Sequence, residues 1–196
     1  MNELDRIADL QHRIAILEDM RAYQELYHLL FDRLYRFSFS FVKSREAAEE
    51  IVSDVFIKLW QIRSDLKKVV ALKVYLYTIT RNFSINYITR HYKHQVVSLD
   101  GMEDLFVASA SPEELAISAE MYQKVQAAIR DLPPQCRAIF QLVREDGLKY
   151  KDVAAIMDVS VLTVRNQVAI ATKKLAAALP ATLGKRIADS ARFSHS

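Results

Sequence analysis

The sequence predicts an all-α protein made of two small helical domains joined by a flexible linker, the C-terminal one containing a helix-turn-helix. Three observations lead there. The 196 residues include only three Gly and four Pro, with neither type before Gly101, so the first hundred positions lack the two strongest helix interrupters. Apolar residues in that half recur three and four apart, the helical period. Between residues 96 and 112, VVSLDGMEDLFVASASP loses this period and collects Gly, Ser, Asp and Pro, as a linker does. The expected division is a domain over 1–95, a linker over 96–112, a second domain over 113–179 and a tail over 180–196.

The first element, MNELDRIADLQHRIAILEDM, carries acids and bases inside its apolar pattern, which makes it an amphipathic helix rather than a secretion signal. A second helix is expected from Tyr23 to Val42, with Leu26, Leu30, Leu34, Phe37 and Phe41 as its core stripe. Ser44 then reads as a helix cap, with Ala47 where a capping box would place Glu. It opens REAAEEIVSDVFIKLWQIR, whose Ala48, Ile51, Val52, Val55 and Leu59 turn inward. That choice leaves Glu50, Ser53, Asp54, Ile57, Lys58 and Gln61 outward. An apolar Ile57 among charges suits a protein partner as well as it suits an ordinary surface.

The next helix, Leu72 to Lys93, is expected to bury Leu72, Leu76, Ile79, Phe83 and Tyr87. Asn82 and Asn86, four apart, project from one face and can bond base edges. Lys73, Arg81, Arg90 and Lys93 surround them as candidate phosphate contacts, and Tyr75, Tyr77 and Tyr92 offer surfaces on which unpaired bases could stack. Aromatics at helical spacing also serve as core, so both uses stay open for the tyrosines.

In the second domain, KYKDVAAIMDVSVLTVRNQVAIATKKL spells two short helices across a tight turn. Ala154 is small where the second helix must cross the first. Asp158 stands where the chain reverses through a left-handed conformation, which Asp tolerates less freely than Gly. Ser160 caps the second helix, and Val164, Val168, Ala171 and Leu175 face the core. The free face carries Leu162, Thr163, Arg165, Asn166, Ala169, Lys173 and Lys174, a set of base-edge donors, an amide and phosphate-neutralising cations beside the Ser160 hydroxyl. A helical hairpin with a solvated basic face is the alternative.

Charge is sorted along the chain. Residues 1–60 hold 8 basic and 11 acidic side chains, 61–95 hold 7 and 1, 96–131 hold 2 and 7, and 132–196 hold 10 and 5. Two basic blocks separated by an acidic stretch suit contact with a polyanion at two places. The one cysteine, Cys136, cannot pair internally and reads as a buried thiol in a reducing cytoplasm. No apolar run approaches membrane-spanning length, so no stable membrane insertion is expected. His91 and His94 have metal-like spacing but nothing nearby completes a site. No phosphate loop, nucleophile elbow, triad or isolated carboxylate pair is found, so neither an enzyme nor a bound cofactor is expected.

Four segments in order, RLYRFSFSFVKSREAAEEIVSDVFIKLW, VYLYTITRNFSINYITR, LPPQCRAIFQLVREDGLKYKDVAAIM and VSVLTVRNQVAIATKKL, resemble the extracytoplasmic-function branch of the sigma-70 family over about residues 20–178. The resemblance implies a subunit that docks on RNA polymerase core, through the beta-prime clamp helices and beta flap, with the helix around Asp54 to Gln61. It implies recognition and opening of a minus-ten element by Leu72 to Lys93, with Asn82 and Asn86 on the opened non-template strand. The stretch Ser64 to Ala71 matches the loop that captures an extruded base, and the Ser160 helix matches the reader of the minus-thirty-five element. An anti-sigma factor is an implied partner. Leu162 departs from the polar residue frequent at its position, which favours a thymine methyl over a phosphate. A helix-turn-helix regulator without polymerase binding would need a strand-helix sensor domain that the N-terminal half lacks. A helical adaptor that binds only protein leaves the two basic blocks without a purpose.

Overall fold

The computed structural model describes residues 2–91, 124–125 and 127–178. These form α1 (Glu3–Leu17), α2 (Met20–Val42), α3 (Arg45–Gln61), a 3-10 helix (Arg63–Lys68), α4 (Leu72–His91), α5 (Pro134–Arg144), α6 (Tyr150–Met157) and α7 (Val161–Ala178), with no strand among the described residues. The expected linker over 96–112, the tail over 180–196, and Tyr92, Lys93 and His94 lie outside the described residues.

Helix ends follow from local chemistry. Asn2 and Asp5 form a reciprocal capping box at the start of α1, and the Asp19 carboxylate accepts from the Arg21 and Ala22 amides at the start of α2, satisfying donors that the helix itself cannot. Ser44 caps α3 by accepting from the Ala47 amide. Without glycine in this half, α1 and α2 stop by forcing Glu18 and Lys43 into left-handed backbone at φ 48° and 57°, each at about 1 kcal/mol. Only after α5 does a glycine do this work: Gly147 sits at φ 66°, and the Leu148 amide reaches back to the Leu142 carbonyl.

Helix α2 is the axis. Ala22, Leu26, Leu30, Leu34 and Phe37 are buried along it, and α1, α3, α4 and α5 all pack on it. Against α3, Tyr23 donates its hydroxyl to the Phe56 carbonyl at 3.0 Å and sets its ring edge to Trp60 at 5.1 Å. Against α4, the buried Ser38 and Ser84 hydroxyls meet at 3.0 Å. The expected stripe of α4 needs correction. Leu72 and Leu76 are buried, but Tyr77, Thr80 and Ser84 complete the stripe while Ile79, Phe83 and Tyr87 are only half-buried. Thr80 and Ser84 satisfy themselves by bonding the Leu76 and Thr80 carbonyls, so small polar residues can occupy the close contact that a periodicity based on apolarity assigns elsewhere.

The helix-turn-helix is built as the sequence predicts. Asp158 adopts φ 56°, ψ 50°, the axes of α6 and α7 are bent by 103° across the turn, within the range of such motifs, and the Ser160 hydroxyl accepts from the Thr163 amide at 3.0 Å. Ala154 is buried, as are Val164, Val168, Ala171 and Leu175. Cys136 is buried too, and burial pushes its thiol upward.

The N-terminal and C-terminal helices share one core. A single apolar cluster runs from Ile7 through Leu30 and Leu76 to Ile139, Ile156 and Val168, while a smaller one gathers Leu132, Cys136, Phe140 and Leu175. Where α1, α2 and α4 meet the turn after α5 lies a charged knot. The Lys73 ammonium donates to Glu3 Oε1 and to the Asp146 carbonyl, both at 2.7 Å. Arg33 donates to Glu3 at 2.8 Å and lies 3.8 Å from the Asp146 carboxylate. The fully buried Tyr77 hydroxyl faces the same acid. For Glu3, burial alone would raise the carboxyl, but Arg33 and Lys73 together hold it below the usual range. For Asp146 burial wins over the nearby cations and the carboxyl is raised.

The raised acid predicts the sign of a pH effect. Folded Asp146 keeps its proton to a higher pH than the unfolded chain does, so stability falls as pH rises from the ordinary carboxylate range through its folded value. Asp146→Asn should flatten this part of a melting-temperature profile measured from pH 4 to 7, relative to the parent. Parallel profiles would show that the carboxyl is not the group responsible.

Candidate nucleic-acid interface

Three helix faces stay exposed while the halves are packed. On α3, Ala48, Ile51, Val52, Val55 and Leu59 are buried, and Glu50, Ser53, Asp54, Ile57, Lys58 and Gln61 are all outward. Ile57 is 53% exposed, in contact with water on a helix whose other side is fully used.

On α4, Asn82 and Asn86 are exposed one turn apart, with Arg90 a turn further and Arg81 half-buried beside them. Ile85 adds an exposed apolar edge between the amides. Amide groups that are free to donate and accept, set on a rigid helix with cations at one end, can read base edges and neutralise phosphate. Three expected members fall elsewhere. Lys73 is only 5% exposed and its donors are committed to Glu3 and the Asp146 carbonyl, so it is no phosphate contact in this arrangement. Tyr77 is a core residue, set edge-on to Phe37 at 5.1 Å. Tyr75 is half-buried against the main cluster. The aromatic at the exposed end is Tyr87, whose ring stacks on His91 at 4.1 Å.

The stretch Ser64 to Ala71 leads into α4, and most of it is the 3-10 helix rather than irregular loop. Leu66 is its buried anchor. Lys67 is exposed, Lys68 pairs with Asp65 at 2.7 Å, and Val70 projects fully into solvent at its tip.

On α7, Leu162, Arg165, Asn166, Ala169, Lys173 and Lys174 are exposed and Thr163 is half-buried, its hydroxyl 2.8 Å from that of the exposed Ser160. Leu162 is 62% exposed. Ile170 is a member of this face that the sequence reading passed over. It lies four residues after Asn166 and is exposed, so helical arithmetic alone was enough to find it. Among the described residues no group of three or more His, Cys, Asp and Glu could hold a metal ion, and no single helix is long and apolar enough to cross a membrane.

Comparison with known proteins gives these faces a common setting. Residues 26–94, which contain the α3 and α4 faces, match the family model Sigma-70 region 2, and residues 122–175, which contain most of α7, match Sigma-70, region 4. The chain is 30% identical over 139 residues to the ECF RNA polymerase sigma factor SigM of Bacillus subtilis, covering 69% of this chain and 82% of that protein. It is 32% identical over 127 residues to the ECF RNA polymerase sigma-E factor of Escherichia coli, covering 61% of this chain and 66% of the relative. It is 25% identical over 150 residues to the ECF RNA polymerase sigma factor SigE of Mycolicibacterium smegmatis, covering 76% and 58%. The chain thus spans less than two thirds of the length of the last two. In fold it is similar to the sigma factor RpoE of Bartonella quintana, solved with the anti-sigma factor NepR, at a TM-score of 0.62, 21% identity and coverage of 81% of this chain and 97% of that one. The two family segments and the ECF relatives make this chain a member of the ECF branch of the sigma-70 family.

Proposed function

We propose that the chain binds RNA polymerase core and directs promoter-specific transcription initiation. The observation that carries this reading is the simultaneous exposure of three faces with different chemistry. The α3 face, with Asp54, Ile57, Lys58 and Gln61, is acidic, apolar and cationic within two turns and lacks an amide ladder, which suits protein. The α4 and α7 faces pair amides with cations, which suits nucleic acid. In this assignment residues 1–95 engage polymerase, through its beta-prime clamp helices, and the minus-ten element. Residues 113–179 engage the minus-thirty-five element and the beta flap. Asn82 and Asn86 contact the opened strand, Arg165 and Asn166 contact base edges within the first two turns of α7, and Lys173 and Lys174 lie further on for phosphate. An anti-sigma factor, the partner named for the Bartonella quintana protein, is proposed as a regulator here. The place of action is the cytoplasm, without membrane insertion or catalysis by the chain itself.

The deciding experiment mixes the whole chain with core polymerase and a promoter library, and expects transcripts that start downstream of a shared motif. Absence of specific initiation refutes the reading. On the promoter so found, changing both Asn82 and Asn86 to Ala should abolish preference among minus-ten sequences in a fork-junction template. Residual salt-sensitive binding should persist, because cations are left in place. Since α4 packs on α6, this measurement requires the full chain rather than its first half.

Two further outcomes separate the faces. Changing Asp54 and Ile57 to Ala should leave the unfolding free energy within about 0.5 kcal/mol of the parent, as exposed positions do, while weakening capture of core polymerase in a pull-down titration. Arg165→Ala should reduce discrimination between matched and scrambled minus-thirty-five duplexes by about 1 to 3 kcal/mol. Lys174→Ala should instead weaken both duplexes alike and flatten the salt dependence. Identical effects of the two substitutions would defeat this division.

A further inference from the structure

The N-terminal helix α1 lies outside both family segments, which begin at residue 26 and at residue 122. Its strongest packing is on α2 and on the 3-10 helix before α4. Three of its residues, Ile7, Leu10 and Ile14, are its buried stripe. Gln11 is not among them. It is half-buried, and its side-chain amide nitrogen donates to two backbone carbonyls 55 and 58 positions away, Leu66 at 2.7 Å and Val69 at 2.6 Å.

Those two carbonyls bracket the end of the 3-10 helix. The Leu66 oxygen also accepts from the Val69 amide at 2.9 Å, closing the last turn, and the next residue, Val70, is fully exposed. The 3-10 helix has no side-chain cap at its N-cap, Ile62. A six-residue 3-10 helix is longer than such helices usually run, and its hydrogen bonds have poorer geometry than those of an α-helix. A single external amide with both of its donors spent on this turn therefore holds what local chemistry holds weakly. The Leu66 side chain, fully buried, fixes the start of the turn, and Gln11 fixes its end.

We infer that Gln11 is a positioning residue for promoter reading: by clamping the Leu66 and Val69 carbonyls it sets the direction in which Lys67 and Val70 meet an unpaired base. This rests on the reading of Ser64 to Ala71 as the base-capturing stretch. The physical basis is preorganisation, because a turn held before binding loses less freedom on binding. Gln11 itself does not touch the base. Its effect is on selectivity more than on fold, since the α1 core stripe is built from other residues.

The test compares Gln11→Leu, which keeps the shape and removes both donors, with Gln11→Lys, which keeps a donor of similar reach. In the full chain, hydrogen exchange of the Val69 amide should speed up by about tenfold in Gln11→Leu, as expected for the loss of one or two net hydrogen bonds, with the melting temperature lowered by only about 3 to 6 °C. Unchanged exchange overturns the clamp whatever the DNA does. With core polymerase, open-complex formation is then measured on promoters carrying each of the four bases at each minus-ten position. Val70→Ala and Lys67→Ala identify the position that the turn reads. At that position Gln11→Leu should reduce discrimination by roughly fivefold to tenfold, Gln11→Lys should restore most of it, and selectivity at minus thirty-five should be unaltered. If Val70→Ala shifts selectivity and Gln11→Leu does not, the inference fails and the reading of the turn stands. If neither Val70→Ala nor Lys67→Ala shifts it at any position, the reading of the turn fails and takes the inference with it.

Discussion

Helix α2 must bury one long stripe, and the rest of the structure is arranged to cover it. Its 23 residues bury Ala22, Leu26, Leu30, Leu34 and Phe37, together with Ser38 and Ser40, in a stripe too long for any one neighbour. Each buried Leu gains about 1.5 to 3 kcal/mol only when water is excluded from it, so α1, α3, α4 and α5 divide the task. That division decides orientation. With α3 committed inward by its apolar row and α4 by a mixed row of apolar and small polar residues, their remaining faces have one place to point, and Asp54, Ile57, Asn82 and Asn86 are exposed as a consequence.

The knot of Lys73, Glu3, Arg33 and Asp146 shows the other use of the interior. Buried charges lose hydration, and a pair regains it only when every donor and acceptor is matched. Lys73 directs its ammonium to Glu3 and to a backbone carbonyl, and Arg33 links the same Glu3 to Asp146. Such a network stabilises weakly compared with an apolar seam of equal size. What it does provide is direction, since a shifted docking of the turn after α5 on α4 would leave a buried ammonium or carboxylate without its partner.

Much of this was legible in the sequence, and the exceptions share a cause. The alternation of buried and exposed positions on α3 and α7 could be read from period alone, because in both helices apolar residues occupy the core face and polar residues the other. The left-handed turn at Asp158 and the cap at Ser160 followed from residue chemistry. Helix α4 resisted that approach because its inner face contains Lys73, Tyr77, Thr80 and Ser84; Lys73 finds partners on α1 and in the turn after α5, Ser84 meets Ser38 of α2, and Thr80 and Ser84 bond carbonyls of α4 itself. Nothing in a local window announces that Glu3 and Asp146 will converge on Lys73 from opposite ends of the chain. The same holds for Gln11, a polar residue on an amphipathic helix until its two carbonyl partners are seen. Long-range satisfaction of polar groups is a property of the folded arrangement, and period finds only the apolar part of it.

The docking of α6 on α4 bears on binding equilibria as well as on shape. Elements centred near minus ten and minus thirty-five stand about 25 base pairs apart, roughly 80 Å along a duplex, whereas α7, the longest helix of its half, is about 27 Å long. One compact body cannot occupy both. If the two halves read those elements as proposed, a promoter selects molecules whose halves have parted, and its apparent affinity is the intrinsic one multiplied by the parted fraction. A seam that left about 1% parted would weaken promoter binding by the free chain about a hundredfold while leaving each face chemically intact. Any partner that holds the halves apart would raise that fraction and sharpen DNA binding without touching DNA. A partner that bridges them would do the reverse.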